Sequence, residues 1–289
     1  MKVSGSVYSV NIPFSLPAGG GRSIERSVRA FLVGGKEACL VDAGVAGSSP
    51  ALLAMAGEAG KNPGEVSTLV LTHSHPDHIG GGPGFQRATG CMVAAHPAER
   101  AWIEDPGLQA RERPVPGFTT LVEGPLRVDR LLGDGDRIGI GGDRFIIVLY
   151  TPGHSAGSIS LFLEDEGVLI TGDAIPVKGE IPVYDDPVAS LASIRKLEDL
   201  RGVRVLLSSW DSPKTGPAAR RTLAEGSAIL RTIHEAVARA AEHETDPARI
   251  TQRVADDLGL PEAALPIISR TLAGHIRAVE QGENMGGRG

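Results

Sequence analysis

A six-residue segment holds three histidines and one aspartate at a spacing suited to metal ions: His73-Ser74-His75-Pro76-Asp77-His78. Side chains two positions apart in an extended segment point the same way, so His73 and His75 can bind one ion. The proline redirects the chain, and Asp77 and His78 beyond it can face a second ion. Imidazole nitrogen and carboxylate oxygen suit zinc, iron or manganese. The segment therefore indicates a metal site.

Polar residues also follow four short apolar runs that have the length and branched-chain content of buried strands. These runs and the residues after them are 69–71 with His73, 145–150 with His154, 168–170 with Asp173, and 203–207 with Asp211. If neighbouring strands end at the same edge of a sheet, these side chains converge there. The sequence thus predicts that ligands far apart in the chain are gathered at one sheet edge.

Other segments predict a β-then-α order in the first third and a helical last third. The predicted elements are a hairpin over 27–33 and 37–41, helices over 48–60 and 186–200, and three helices over 217–243, 246–259 and 261–280. Residues 98–130 are rich in proline, glycine and charge, which is typical of a long surface excursion. Residues 176–187 predict a second loop, and residues 281–289 a disordered tail.

Three motifs resemble those of the metallo-β-lactamase superfamily, close to its glyoxalase II-like and lactonase-like members. They are THSHPDHIGG at 72–81, TPGHSAGS at 151–158 and TGDA at 171–174, and the hairpin followed by VDAG at 41–44 also fits. The resemblance covers about residues 3–213. It implies an α/β fold, a four-layer αβ/βα sandwich with a dinuclear site at one edge of its two sheets. We expect a catalytic domain over 1–213 and a helical extension over 214–280.

The resemblance also implies a role for each candidate ligand. The first metal would be held by His73, His75 and His154, and the second by Asp77 and His78, with Asp173 bridging both. The family usually ends its last core strand with a further histidine for the second metal.

In this chain Ser209-Trp210-Asp211 occupies that place, and indole cannot ligate a metal. We predict that Asp211 substitutes through oxygen. The alternatives are a water ligand, a weak second site, or rescue by His234 or His275 from the helical tail.

The predicted function is a metal-dependent hydrolase in which a metal-bound hydroxide attacks the carbonyl of a thioester, ester or lactone in a small molecule. Asp77 is the predicted catalytic residue, placed to orient the nucleophile or move its proton. The predicted cofactors are two divalent ions, zinc before iron or manganese. The alternatives are a mononuclear iron oxidoreductase resembling persulfide dioxygenases and a non-catalytic metal-binding module.

The composition of the chain restricts the classes of molecule that it is expected to bind. The chain has 289 residues and a formal net charge of −6, which argues against broad binding to nucleic-acid phosphates. We predict no membrane contact, because the start of the chain carries no long apolar stretch. Cys39 and Cys91 are expected to be buried, reduced thiols of a cytoplasmic protein. The helical tail is expected either to cap the site or to pair two subunits as a homodimer.

Several polar or aromatic residues have structural or functional readings that the sequence leaves open. Asp42 is expected to cap a turn or support a ligand histidine. Tyr184 either packs or donates its hydroxyl to a substrate carbonyl, and Lys178 either is solvated or meets an anionic substrate. His96 and His243 are expected to be structural. Trp102 and Phe118 either form a lid over the site or pack in the core.

Overall fold

The computed structural model describes residues 1–17, 22–260, 264–283 and 285–286. Its first sheet has seven strands in chain order: β1 Lys2–Ser4, β2 Val7–Pro17, β3 Ser23–Val33, β4 Ala38–Val41, β5 Val66–Val70, β6 Met92–Ala95 and β7 Arg130–Leu131. Strands β1 to β4 are antiparallel, whereas β4 to β7 are parallel. The predicted hairpin is the β3–β4 pair.

The second sheet has six strands in the order β13-β12-β11-β10-β9-β8. They are β8 Arg137–Gly139, β9 Phe145–Tyr150, β10 Ile159–Leu163, β11 Val168–Ile170, β12 Val205–Leu207 and β13 Lys214–Thr215. The pair β11–β12 is parallel and the other pairs are antiparallel. The four predicted apolar runs correspond to β5, β9, β11 and β12. The bounds of β9 and β11 agree with the prediction, whereas those of β5 and β12 differ from it by one to three residues.

Ten α-helices are present in the described ranges. They are α1 Ser49–Glu58, α2 Pro76–Ile79, α3 Gly82–Thr89, α4 Arg100–Glu104, α5 Pro106–Glu112, α6 Phe118–Leu121, α7 Pro187–Glu198, α8 Pro217–Ala241, α9 Pro247–Asp257 and α10 Leu265–Glu280. The α7 start follows from sequence, because the Asp186 carboxylate accepts hydrogen bonds from the backbone N–H groups of Val188 and Ala189. Pro261, at the predicted start of the last helix, lies outside the described residues.

Side chains that point alternately to the two faces of each sheet produce the layers of the fold. In β3, Phe31 packs between the two sheets while its neighbour Leu32 packs on the outer face, because successive side chains of a strand point to opposite faces. The inter-sheet core takes Phe31 and Val70 from the first sheet and Leu161 from the second. Helices α1 and α3 cover the outer face of the first sheet, and α7 and α8 that of the second. This is the predicted four-layer sandwich.

The ends of the two sheets meet at one edge. The backbone N–H of Ile159 in β10 donates to the carbonyl of Thr72 after β5, at 3.0 Å. Gly172, after β11, has φ +52°, and a Cβ there would lie 2.7 Å from Thr72 Oγ1. A glycine is therefore required where the end of β11 approaches the end of β5. This contact brings the segments carrying His73 and Asp173 together.

Residues 98–130 differ from the predicted surface excursion. They contain α4, α5 and α6, and side chains such as Ile103 and Leu126 are buried in the outer core of the first sheet. Glu99 and Gln109 are buried as well. Composition indicated a loop here because short helices of about one turn leave little periodic signal.

The C-terminal helices pack onto the sandwich. Leu223 of α8 joins Leu191 and Ile194 of α7 in one cluster, while α8, α9 and α10 share a second cluster of their own. Met285 is 3% exposed and packs in the first of these clusters, so the predicted disorder of the tail is wrong at this residue. Of the rest of the tail, residues 284 and 287–289 lie outside the described residues.

Two further observations concern the chain as a whole. Cys39 and Cys91 are both buried and unpaired, and burial raises the pKa of the Cys39 thiol to about 12. Among the helices of the described residues, none combines the length and apolarity that crossing a membrane would need.

Candidate metal centre

Three imidazole nitrogens from two distant segments converge at the sheet edge. His73 and His75 follow β5, and His154 follows β9. His73 Nε2 lies 3.0 Å from His75 Nδ1 and 3.1 Å from His154 Nε2, and the third side of this triangle is 2.8 Å. All three side chains are buried. One ion can lie within the roughly 2.0–2.1 Å of a Zn–N bond from all three nitrogens.

Hydrogen bonds outside the triangle determine where the imidazole protons lie. The Val183 carbonyl can only accept, so His154 Nδ1, at 2.6 Å, donates to it and Nε2 is left bare. Thr72 donates its hydroxyl proton to Asp42, so that its oxygen accepts from His73 Nδ1 at 3.1 Å. His73 Nε2 is therefore bare too. Two lone pairs facing each other at 3.1 Å need a cation between them.

Burial keeps these imidazoles neutral. It lowers the pKa of His73 and of His75 well below the ordinary value, and the positive charges of neighbouring groups act in the same direction. The pKa of His154 is lowered as well, again mainly by burial. Because a metal binds the neutral imidazole, these shifts leave the nitrogens ready to coordinate at neutral pH.

Asp173 connects this triangle to a second group of donors. It follows β11, and its Oδ2 lies 3.5 Å from His154 Nε2 and 3.9 Å from His73 Nε2. Its Oδ1 faces away, 3.4 Å from His78 Nε2. Burial opposes its negative charge, but His78 and His154 outweigh burial and hold the pKa of Asp173 below its usual range. The two oxygens of one carboxylate thus face two separate donor groups.

The second group consists of Asp77, His78 and Asp173, whose ligand atoms lie within 4.8 Å of one another. Asp77 and His78 lie in α2. Asp77 Oδ2 is 3.4 Å from His78 Nε2. In the described part of the chain, Asp77 Oδ2, His78 Nε2 and Asp173 Oδ1 are buried without a hydrogen-bond partner. Buried polar atoms without partners are rare, so three at one point fit the donor set of a cation site.

Asp42 fixes the orientation of His78. Its Oδ2 accepts from His78 Nδ1 at 2.8 Å, and its Oδ1 accepts from the backbone N–H of Thr72. Asp42 has φ +60°, a left-handed conformation that aspartate tolerates better than most residues. The expectation that Asp42 supports a ligand histidine agrees with this arrangement.

The electrostatic balance of the second group is the opposite of the first. Burial disfavours charge on His78, but the carboxylates of Asp173, Asp77 and Asp42 outweigh it and hold the pKa of His78 well above its ordinary value. The imidazole is positively charged when nothing else neutralises the carboxylates. A divalent cation in this group would take over that role. The donors in both groups thus fit metal ions in chemistry and in position.

Trp210 occupies the place of the histidine that the resemblance leads one to expect. Its indole Nε1 donates to Asp173 Oδ2 at 2.8 Å, and its ring lies edge-on to Phe14. Indole N–H is a donor only, so Trp210 stabilises the shared carboxylate but adds no ligand to the second group.

Asp211 lies outside both donor groups, contrary to its prediction as a ligand. Its Oδ1 accepts from Lys214 Nζ at 2.9 Å and from the backbone N–H of Ser212 at 2.6 Å. The carboxylate is turned toward this lysine after β12, because the local pairs satisfy it there. His234 and His275 are also apart from the centre, in the C-terminal helices, and do not replace the missing ligand.

Glu99 is a site residue that the sequence reading missed. Its Oε2 accepts from the backbone N–H of Ser74 at 2.9 Å and from the Ser74 hydroxyl. Its Oε1 accepts from Ser155 Oγ at 2.7 Å and from the backbone N–H of Gly157 at 2.6 Å. One buried carboxylate therefore ties the His73–His75 segment to the His154 segment. A buried glutamate inside an apparently polar excursion carries no local sequence signal.

The other candidates lie outside the donor groups, and three of them have a side-chain partner elsewhere. Tyr184 is buried and its hydroxyl pairs with His275 Nε2 at 2.8 Å, so it packs and does not face the donors. His96 stacks on Tyr150 with ring centroids 4.5 Å apart. Trp102 donates from Nε1 to Glu112. Phe118 is 9% exposed, and His243 is exposed.

Comparison with known proteins agrees with this geometry. The model of the metallo-beta-lactamase superfamily matches residues 24–209. The chain belongs to the metallo-β-lactamase superfamily. The predicted family, fold and enzyme class, a metallo-hydrolase of this superfamily, are therefore confirmed.

Two of the similar proteins illustrate the range of named activities. A hydroxyacylglutathione hydrolase of Cereibacter sphaeroides is 29% identical over 205 residues, which cover 69% of this chain and 71% of that protein. An acyl-coenzyme A thioesterase of Gallus gallus, MBLAC2, is 36% identical over 126 residues, covering 37% of this chain and 40% of that protein.

Solved structures extend the similarity in fold to nearly the whole chain. A metallo-beta-lactamase family protein from Thermus thermophilus has a TM-score of 0.74 and 24% identity, covering 96% of this chain and 94% of its own. A beta-lactamase domain protein from Burkholderia ambifaria has a TM-score of 0.71 and 22% identity, covering 98% of this chain and 89% of its own. The C-terminal helices are thus included in both matches.

Proposed function

We propose that this protein hydrolyses an acyl compound of a small molecule, a thioester before an ester or lactone, at a centre of two divalent ions. The supporting observation is the convergence of two donor groups that share Asp173. The names of the two relatives describe acyl-thiol substrates, which favours a thioester. Nitrogen-rich donors favour zinc at the first position.

Each residue of the centre would have a definite task. His73, His75 and His154 would hold the first ion, Asp77 and His78 the second, and Asp173 would contact both. When bound there, divalent ions would lower the pKa of water to about 7 and polarise a carbonyl oxygen. The Asp77 carboxylate, with Oδ2 buried and unpartnered, would orient the attacking water and accept its proton.

The second ion would be bound more weakly than the first. The second group offers one imidazole and two carboxylates. The indole N–H of Trp210 donates a hydrogen bond to Asp173 and supplies no ligand nitrogen. A weaker second ion makes the metal content depend on the free metal concentration.

The test is hydrolysis of a defined panel by zinc-loaded protein: acylglutathiones, acyl-coenzyme A thioesters, p-nitrophenyl acetate and γ-butyrolactone. We expect turnover of at least one thioester, abolished by chelation and by Asp173→Ala. Asp211→Ala is the matched control, because this carboxylate lies outside both groups and should retain activity. Turnover that survives both the chelator and Asp173→Ala would contradict the proposal.

A second candidate is oxygen-dependent oxidation at a single iron. The observation that favours it is the Trp210–Asp173 hydrogen bond, which leaves the second group short of a ligand. One tightly bound iron per chain with oxygen consumption, and no hydrolysis by the zinc form, would select it.

A further inference from the structure

One of the four ligand histidines lacks the outer hydrogen bond that orients the other three. In those three, the ring nitrogen facing away from the metal donors has a partner: His73 with Thr72, His154 with Val183 and His78 with Asp42. His75 directs Nδ1 into the nitrogen triangle, whereas its Nε2 is buried without a hydrogen-bond partner among the described residues. A ligand imidazole is usually held through its second nitrogen, so the orientation of His75 has to be fixed through its backbone.

The backbone that carries His75 is held at every polar atom of the preceding residue, Ser74. The N–H and the hydroxyl of Ser74 both donate to Glu99 Oε2, the N–H at 2.9 Å. Its carbonyl accepts from Gln109 Nε2 at 2.6 Å. All three side chains are buried, which strengthens these bonds because the surroundings are of low polarity. The peptide groups on both sides of Ser74, one of which joins it to His75, are therefore fixed.

The second oxygen of Glu99 holds the segment that carries His154. Glu99 Oε1 accepts from Ser155 Oγ at 2.7 Å and from the backbone N–H of Gly157 at 2.6 Å. A Cβ on Gly157 would lie 2.8 Å from this oxygen, so a glycine is required for the close approach. His75 Nδ1 and His154 Nε2 lie 2.8 Å apart. One carboxylate thus fixes the relative position of two segments whose nitrogens face each other in the triangle.

We propose that Glu99 and Gln109 are positioning residues, which hold Ser74 so that His75 directs Nδ1 at the first metal position. They thereby set the affinity for the first ion. This inference rests on the metal centre of the proposed function and concerns its affinity for metal, not its substrate. Partners behind metal ligands typically contribute about 10–100-fold to metal affinity. Both residues belong to the segment 98–130, which therefore supports the centre without supplying a ligand.

The experiment measures metal binding, not turnover. Zinc affinity of dialysed, metal-free protein is determined by competition with a chromophoric chelator. Glu99→Gln places an amide NH₂ where the carboxylate accepts hydrogen bonds, and should weaken the first ion about 10–100-fold. Gln109→Met is similar in size and removes only the bond to the Ser74 carbonyl, so the loss should be about tenfold. The visible spectrum of the cobalt-loaded variants, which reports ligand geometry, should differ from that of the wild type.

Glu104→Gln is the matched control, because it makes the same change in the neighbouring α4. The Glu104 carboxylate accepts from the backbone N–H of Val128 at 3.1 Å and not from Ser74. This variant should keep the zinc affinity of the wild type within about twofold and its cobalt spectrum. Urea denaturation of the metal-free proteins shows whether the variants are folded.

The possible results separate the positioning role from the centre itself. Wild-type zinc affinity in folded Glu99→Gln, an equal loss in Glu104→Gln, or a loss with an unchanged cobalt spectrum would overturn the role of Glu99. The metal centre would stand in each of these cases. A wild type that binds no zinc would overturn the centre and this proposal with it. Absence of hydrolysis, with the expected affinities, would overturn the proposed reaction and leave the positioning role standing.

Discussion

Among the residues that the structure describes, two groups of buried histidines can be compared, and one of them is arranged for metal. At the sheet edge, His73 and His154 each donate one ring proton outward and direct a bare nitrogen inward. In the second group, the hydroxyl of Tyr184, from the segment before α7, lies 2.8 Å from Nε2 of His275 in α10, and His275 Nδ1 lies 3.4 Å from Nδ1 of His234 in α8. In this second group each close pair can share a proton, so the network satisfies itself.

The difference between the groups is one of partners, not of burial. His73 is 1% exposed and His275 is 0% exposed. Carboxylates are what distinguish them: Asp173 and Asp77 face the sheet-edge histidines, whereas the hydrogen-bond partners of His275 are the Tyr184 hydroxyl and the His234 imidazole. Buried histidines therefore indicate a metal site only when their second nitrogens are already occupied and anions lie opposite.

The largest expected effect separates the two groups directly. Removing His154 deletes one corner of the nitrogen triangle, so His154→Ala should lower hydrolysis by about 10³-fold or more and reduce bound zinc. His275→Gln should keep its zinc. The measurement is elemental analysis of dialysed protein together with steady-state kinetics. Equal zinc loss in both variants would remove the distinction between the groups.

A smaller loss is expected at Asp77, which belongs to the second donor group but not to the nitrogen triangle. Asp77→Asn keeps the size of the side chain and removes its basicity, so kcat should fall about 10²–10³-fold. Zinc bound at the triangle should remain, because the three nitrogens are untouched. A variant that loses all metal would show that Asp77 acts as a structural ligand of the whole centre.

The incomplete second group can be repaired. Trp210→His places an imidazole where indole now donates to Asp173, and should tighten the weaker metal equilibrium about tenfold or more, as measured by titration with zinc. Trp210→Phe is the control: it removes the N–H without adding a ligand and should change that equilibrium by less than about threefold. Two equally tight ions in the wild type would refute the idea of a weakened second position.

The smallest effect concerns His275 in the second histidine group and the pH dependence of the free energy of unfolding. Burial, with a contribution from His234, lowers the pKa of His275 to about 3, below an ordinary value of 6.5. The unfolded chain therefore takes up the proton first as pH falls. The contribution of neutral His275 to the free energy of unfolding is therefore present at pH 7 and is lost as the pH falls below about 6.5. The loss amounts to about 2 kcal/mol at pH 5.

His275→Gln removes this titration, so its free energy of unfolding should fall about 2 kcal/mol less than that of the wild type between pH 7 and pH 5. Urea denaturation at both pH values measures it. His243→Gln, at an exposed position, is the control and should follow the wild type. A parallel loss in wild type and His275→Gln would show that His275 does not contribute to acid sensitivity.

Local patterns were sufficient for much of the fold and part of the site. Residues 145–150 and 168–170 were predicted as strands from their branched apolar content, and both bounds agree with the structure. The helix beginning after Asp186 followed from its cap. The excursion at 98–130 was misread, because short helices held by tertiary packing have no periodicity of their own.

The sequence by itself determined the donor types and their order along the chain. Alternation and strand ends depend on neighbours within a few residues, so His73, His154 and Asp173 could be placed at one sheet edge in advance. Only the tertiary structure decided that Asp211 turns to Lys214 and that Glu99 joins the two ligand segments. These outcomes depend on contacts between residues far apart in the chain, for which no local pattern exists.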